Sequence, residues 1–77
     1  MKVEIYGAEW CGYCKSAVQL CESKSIDYEY IDVDASGNMK QLQERLGNPV
    51  KSIPQIFIDD KFLPGGFTSL KQELDNN

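Results

Sequence analysis

Apolar and polar positions alternate from the first residues. Val3 and Ile5 stand against Lys2, Glu4 and Tyr6, so residues 2–6 read as a strand with Val3 and Ile5 turned to a core. Gly7-Ala8-Glu9-Trp10 interrupts the alternation as a loop, and from Cys11 the period becomes helical. Cys14, Ala17, Val18 and Cys21 share one face while Lys15, Gln19, Glu22 and Ser23 face water, which predicts a helix to about Lys24. Ile26 to Val33 is rich in β-branched and aromatic residues and reads as a second strand. With a helix between them, the two strands are expected to pair in parallel as a right-handed βαβ unit. Asp34-Ala35-Ser36-Gly37 reads as a turn with capping residues before a second helix, marked by Met39, Leu42 and Leu46 and stopped by Gly47. Asn48-Pro49 continues that break. Gln55–Ile58, an Asp59-Asp60 turn and Lys61–Leu63 form an expected antiparallel hairpin. Gly65-Gly66 ends it, and Thr68 or Ser69 is the expected cap of a short last helix containing Leu70 and Leu74. The order is βαβαββα, an α/β chain whose four strands are covered by helices on both faces.

Length and charge narrow the picture. A chain of 77 residues, 42% apolar and 26% charged, is expected to form one domain over residues 1–77. It has no repeat and no low-complexity tract. No apolar run approaches the length of a membrane span, and no signal-peptide pattern opens the sequence. A cytoplasmic, reducing location is therefore expected. Net charge is −4 with no basic block, which argues against nucleic acid or an anionic membrane as partner. Solubility is the simpler meaning of that charge.

The chemistry lies at Trp10-Cys11-Gly12-Tyr13-Cys14. At a helix start the free backbone N–H groups and the dipole favour negative charge, which favours a thiolate at Cys11. Cys14, one turn along, lies within closing distance for a disulfide. The pair therefore offers a nucleophile and a thiol able to resolve a mixed disulfide. A zinc site needs about four Cys or His ligands, whereas the chain has no histidine and only one further cysteine, Cys21. No metal site is expected. An odd cysteine count also fits poorly with a structural disulfide framework. Cys21 stands about 10 Å beyond Cys14 along the helix axis, outside the Cα separation of about 7 Å that a disulfide tolerates. It is expected in the core.

With these pieces in order the chain resembles the glutaredoxins of the thioredoxin superfamily over nearly its whole length. Cys11-Gly12-Tyr13-Cys14, Ser52-Ile53-Pro54-Gln55-Ile56-Phe57-Ile58 and Gly65-Gly66-Phe67 carry the resemblance. It implies a thioredoxin-like fold, a four-stranded mixed sheet with helices on both faces. It also implies Cys11 as attacking thiolate, Cys14 as resolving thiol, and Pro54 as the family's cis-proline, beside which Ser52 and Ile53 meet substrate. From the residues alone, Pro54 reads equally as a strand-entry proline, and Tyr13 as a surface aromatic. The resemblance further implies glutathione as co-substrate, without a tightly bound cofactor. Its cysteine backbone would pair with Ile53, and its γ-glutamyl carboxylate would meet the N–H groups of Phe67 and Thr68 after Gly66. Tyr13 would flank the cysteines.

Three positions depart from the family pattern. Gly12 stands where many members have proline. Ala8 stands where a lysine commonly holds the glycine carboxylate of glutathione, and Thr68-Ser69 stand where an acidic residue commonly meets its α-amine. Lys51, Lys15 and Arg45 are the candidate substitutes for the missing lysine. Restoring charge by Ala8→Lys or Thr68→Asp is expected to tighten glutathione binding. The implied activity is glutathione-dependent reduction of protein disulfides and glutathione mixed disulfides by a monomer, with ribonucleotide reductase among the recipients that glutaredoxins commonly serve. Two alternatives stay open: a glutaredoxin-shaped donor recharged by thioredoxin reductase, and a [2Fe–2S]-binding glutaredoxin using the first cysteine of two copies.

Overall fold

Strand β1 (Lys2–Gly7) has a neighbour on each side. In the computed structural model, which describes residues 1–76, it pairs in parallel with β2 (Asp27–Asp32) and antiparallel with β3 (Gln55–Ile58). Strand β4 (Lys61–Leu63) then pairs antiparallel with β3, giving the mixed sheet β2-β1-β3-β4. Helices α1 (Gly12–Ser23), α2 (Asn38–Leu46) and α3 (Gly66–Asp75) complete the order βαβαββα, the architecture expected from the periodicities.

A central strand covered on both faces needs two apolar faces. Val3 and Ile5 join Ala17, Cys21, Ile56, Leu70 and Leu74 in the core beneath α1 and α3. Tyr6 and Ala8 point the other way, into a second core with Val33, Leu42 and Phe57 beneath α2. The alternating pattern placed Tyr6 on the polar side with Lys2 and Glu4, whereas it is only 7% exposed. The opposite face of β1 is a second core. Among the described residues no helix is long and apolar enough to cross a membrane.

Two helix starts differ from expectation. The residue before α2 is Gly37, with no side-chain cap, so neither Asp34 nor Ser36 caps the helix. Asp32 organises that turn: its carboxylate accepts from the Asp34 N–H at 2.9 Å and its carbonyl from the Asn38 amide at 2.8 Å. Helix α3 begins at Gly66, placing Thr68 and Ser69 inside its first turn rather than before it. The turn into α3 runs through Gly65 at φ 99°, where a Cβ would run into the Ser69 hydroxyl. Only glycine fits there. The Asp59-Asp60 hairpin turn has positive φ at both residues, 50° and 68°, the form that matches strand twist.

Arg45, in the last turn of α2, ties the sheet together. Its guanidinium donates to both Glu4 carboxylate oxygens at 2.9 and 3.0 Å, to the Tyr6 hydroxyl at 3.1 Å and to Asp60 at 3.3 Å. It also lies 3.7 Å above the Phe57 ring. The Arg45 hydrogen bond holds the Glu4 carboxyl below its ordinary range. A depressed carboxyl stabilises the fold above its unfolded pKa of about 4.3, and that contribution is lost as pH falls through the lower folded value. Arg45→Met is therefore expected to cost about 1–2 kcal/mol at neutral pH, towards the low end for charged hydrogen bonds because both side chains keep contact with water. Urea unfolding of wild type and variant should show the gap narrowing at acid pH. An equal gap at both pH values would remove the charge from this account.

Candidate active site

Cys11 is placed by the end of the loop after β1. It caps the N-terminus of α1 in an extended conformation, and its sulfur accepts the Cys14 N–H at 3.3 Å. The thiol in turn donates to the Ile53 carbonyl at 3.7 Å, so the loop before Pro54 faces the dithiol. The Ile53–Pro54 bond is cis and Pro54 is buried. The Gln55 side chain pins the same loop by donating to the Ser52 carbonyl at 2.7 Å.

The two cysteines differ in access. Cys11 is 8% exposed and Cys14 fully buried, so an incoming disulfide reaches Cys11 first. Burial, reinforced by its hydrogen bond to Cys11, pushes the Cys14 thiol up to about 12, against a smaller opposing pull from the Ala8 N–H. Cys14 is thus a thiol at neutral pH. The residue behind it is Gly7, where a Cβ would lie 2.7 Å from both the Cβ and the sulfur of Cys14. Cys21 is buried in the core under α1 and α3, and burial raises its thiol also. All three cysteines are free thiols.

Two grooves meet at Ser52 and Ile53. The first, about 500 Å³, is lined by Tyr13, Ser52, Ile53, Pro54, Gly66, Phe67 and Thr68, with Gln55, Phe62, Pro64 and Gly65. The structure therefore brings together every residue that the sequence reading assigned to glutathione. Tyr13 stacks on Phe67 with ring centroids 5.9 Å apart, closing one wall. A side chain on Gly66 would come within 3.3 Å of the Pro54 carbonyl, so Gly66 lets the start of α3 approach the loop. The second groove, about 380 Å³, holds Cys11 itself, with Trp10, Val33, Asp34, Met39, Val50 and Lys51. Its exposed indole, Trp10, is fixed by an N–H bond to Asp34 at 3.0 Å. Sequence reasoning did not single out Asp34, Gln55, Gly7 or Tyr30 for the site. Asp34, Gly7 and Tyr30 act through contacts between separate segments, whereas Gln55 acts within its own loop, on Ser52 three residues before it.

Of Lys51, Lys15 and Arg45, only Lys51 lines the groove that holds Cys11. Arg45 is engaged with Glu4, Tyr6 and Asp60. Lys15 lines a different groove with Glu9 and Glu22, whereas Lys51 lines the groove that holds Cys11. Ala8 itself is fully buried against the second core. A lysine there must first escape packed apolar neighbours, so Ala8→Lys is not the clean affinity variant that the sequence alone implied. Thr68 is exposed and remains one.

A mixed sheet of this topology with a dithiol at the start of its first helix defines a thiol–disulfide oxidoreductase of the thioredoxin superfamily. Residues 3–63 match the glutaredoxin family model. Glutaredoxin 1 of Escherichia coli strain K12 is 38% identical, over 97% of this chain and 99% of its own. The three-dimensional structure of reduced Escherichia coli glutaredoxin superposes with a TM-score of 0.80 at 34% identity, covering 100% of this chain and 96% of that one. A buckwheat glutaredoxin–glutathione complex shares the fold at a TM-score of 0.76 and 22% identity, over 96% of this chain and 68% of its own. The chain belongs to the glutaredoxin family.

Proposed function

We propose that the protein uses glutathione to reduce protein disulfides and glutathione mixed disulfides. The groove from Tyr13 and Thr68 to Ile53 supports this reading most, because it presents what a γ-glutamyl tripeptide needs. Ile53 offers backbone groups for strand-like pairing. The uncapped start of α3 offers N–H groups to a carboxylate. The buckwheat protein's complex with glutathione adds a family precedent.

The Cys11 thiolate attacks one sulfur of the target disulfide. That bond breaks, a Cys11–target mixed disulfide forms, and the other target sulfur departs as a thiolate that takes up a proton. Cys14 then gives up its proton and attacks the Cys11 sulfur, releasing the second target thiol and leaving a Cys11–Cys14 disulfide. Two glutathiones reduce this and leave as glutathione disulfide. With a glutathionylated target, Cys11 alone takes the glutathionyl group and a second glutathione removes it. In-line displacement needs the attacking and leaving sulfurs on opposite sides of the one attacked. The Trp10 groove, which meets the first at Ser52 and Ile53 and holds Cys11, is the place for the protein segment.

One observation favours a second electron source. Neither Ala8 nor Thr68 supplies the charge that family members commonly place on glutathione, which fits recharging by thioredoxin reductase. Turnover with glutathione, glutathione reductase and NADPH, set against turnover with thioredoxin reductase and NADPH, decides between them. Glutathione is expected to support turnover. Thr68→Asp is expected to tighten its apparent affinity about two- to fivefold, the range for a solvent-exposed ion pair. Turnover only with thioredoxin reductase, unchanged by Thr68→Asp, would leave the groove without this role.

A further inference from the structure

Cys14 is sealed from water by residues that the exchange chemistry does not itself use. One wall is the backbone of Gly7 at the end of β1. A Cβ added there would meet the Cys14 sulfur at 2.7 Å and Cε1 of Tyr30 at 3.2 Å. Thiol and ring edge therefore converge over the one position of β1 that has no side chain, across a gap that a single methyl group would overfill. Tyr30 comes from β2, an edge strand whose outer side faces solvent. Its ring is partly exposed, at 37%, while Cys14 beside it is at 0%. The ring edge and the thiol thus lie on the same face of Gly7, the ring reaching solvent and the thiol not. Tyr30 responds electrostatically to both cysteines. After burial, its hydroxyl is pushed up by Cys14, Asp32, Cys11 and Glu9 in turn. A phenol held protonated is no base for Cys14, so any contribution comes from the ring as cover.

We propose that Tyr30 is a positioning residue of the resolving step: its ring, laid over Gly7, keeps water from the Cys14 thiol. This rests on reading Cys14 as the resolving thiol. It deepens that reading by giving the burial of the resolving thiol a named cause. The groups facing Cys14 are Cys11 from the helix start, the Ala8 N–H from the loop and Tyr30 from β2, with Asp32 and Glu9 acting on Tyr30 behind it.

The test reads Cys14 directly and needs no turnover, so its failure is distinct from failure of the glutathione reading. In a Cys11→Ser background, the Cys14 Cβ chemical shift is followed with isotope-labelled cysteine from neutral to strongly alkaline pH. Tyr30→Ser is expected to lower the Cys14 midpoint by about one unit or more, the scale on which rehydration acts. Tyr30→Phe, which keeps the ring, is expected to leave it in place. Cys21, in the same spectra, serves as the internal control and should not move. Should the serine variant fail to fold, Tyr30→Thr keeps strand propensity and gives the same reading. An unmoved Cys14 midpoint overturns the proposal, as does a fall in Tyr30→Phe equal to that in Tyr30→Ser. A matching shift at Cys21 overturns it too, because it would mean general loosening.

Discussion

Cys11→Ser is expected to reduce turnover to the level of uncatalysed exchange on every substrate, whereas Cys14→Ser should divide the two routes. The reason is access. Cys14 and Cys21 are both fully buried and both raised as thiols, so neither can replace Cys11 as the nucleophile. With Cys14→Ser, the mixed disulfide on a protein target loses its intramolecular resolver. Effective concentrations for well-placed intramolecular attack lie far above any cellular glutathione level, so the loss on protein disulfides should be on the order of 10²-fold or more. A small glutathionylated thiol needs only Cys11 and a second glutathione, and turnover on it should largely persist. Both assays run on the same purified variants with glutathione reductase and NADPH. Equal loss on both substrates from Cys14→Ser would refute the route through Cys11 alone.

The fold was largely legible because the local signals agree with one another. Period-two and helical patterns alternate cleanly, and Gly47, Asp59-Asp60 and Gly65-Gly66 punctuate them at the observed breaks. Misreadings occurred where one local pattern serves two tertiary purposes. Tyr6 looks like the polar side of a half-buried strand, yet β1 is central and its other face is a second core. Ser36 and Thr68 look like helix caps, yet glycines in left-handed conformations enter both helices. Such a choice depends on how closely the incoming chain must pass its neighbour, as Gly66 passes the Pro54 carbonyl. Composition does not encode that distance.

The site divides in the same way. The Cys11–Cys14 spacing is local and stands out in one sequence. The grouping of Tyr13, Ser52, Ile53, Pro54, Gly66, Phe67 and Thr68 came from the family resemblance, since no periodicity joins residues 13 and 68. What neither source gave is the environment of each group. The burial of Ala8 means that a lysine placed there must first displace packed apolar neighbours. The ties of Arg45 to Glu4 and Tyr6 withdraw a cation that sequence alone left free. Gly7 read only as part of a loop, and its contact with Cys14 depends on the angle at which α1 returns across the sheet.

Gly7→Ala should therefore do more than its single methyl group suggests. The new Cβ would lie 2.7 Å from the Cβ and sulfur of Cys14, a separation that real atoms do not hold, so one side must move. Gly7 sits in β1, paired in parallel with β2 through Asp32, and its carbonyl accepts the Val33 N–H at 2.9 Å. The strand is held, and Cys14 on the first turn of α1 is the part expected to yield. Overpacking of this kind costs about 1–3 kcal/mol of stability, measurable by urea unfolding. A displacement of about 1 Å at a reacting atom can cost on the order of 10²-fold in rate. Protein-disulfide reduction should fall by about that much, while turnover of a glutathionylated small thiol through Cys11 falls far less. Equal falls on both substrates would mean that the whole helix start had moved and carried Cys11 with it. No fall on either would mean that Cys14 turns aside without losing its line to Cys11, and Gly7 would then be a packing residue only.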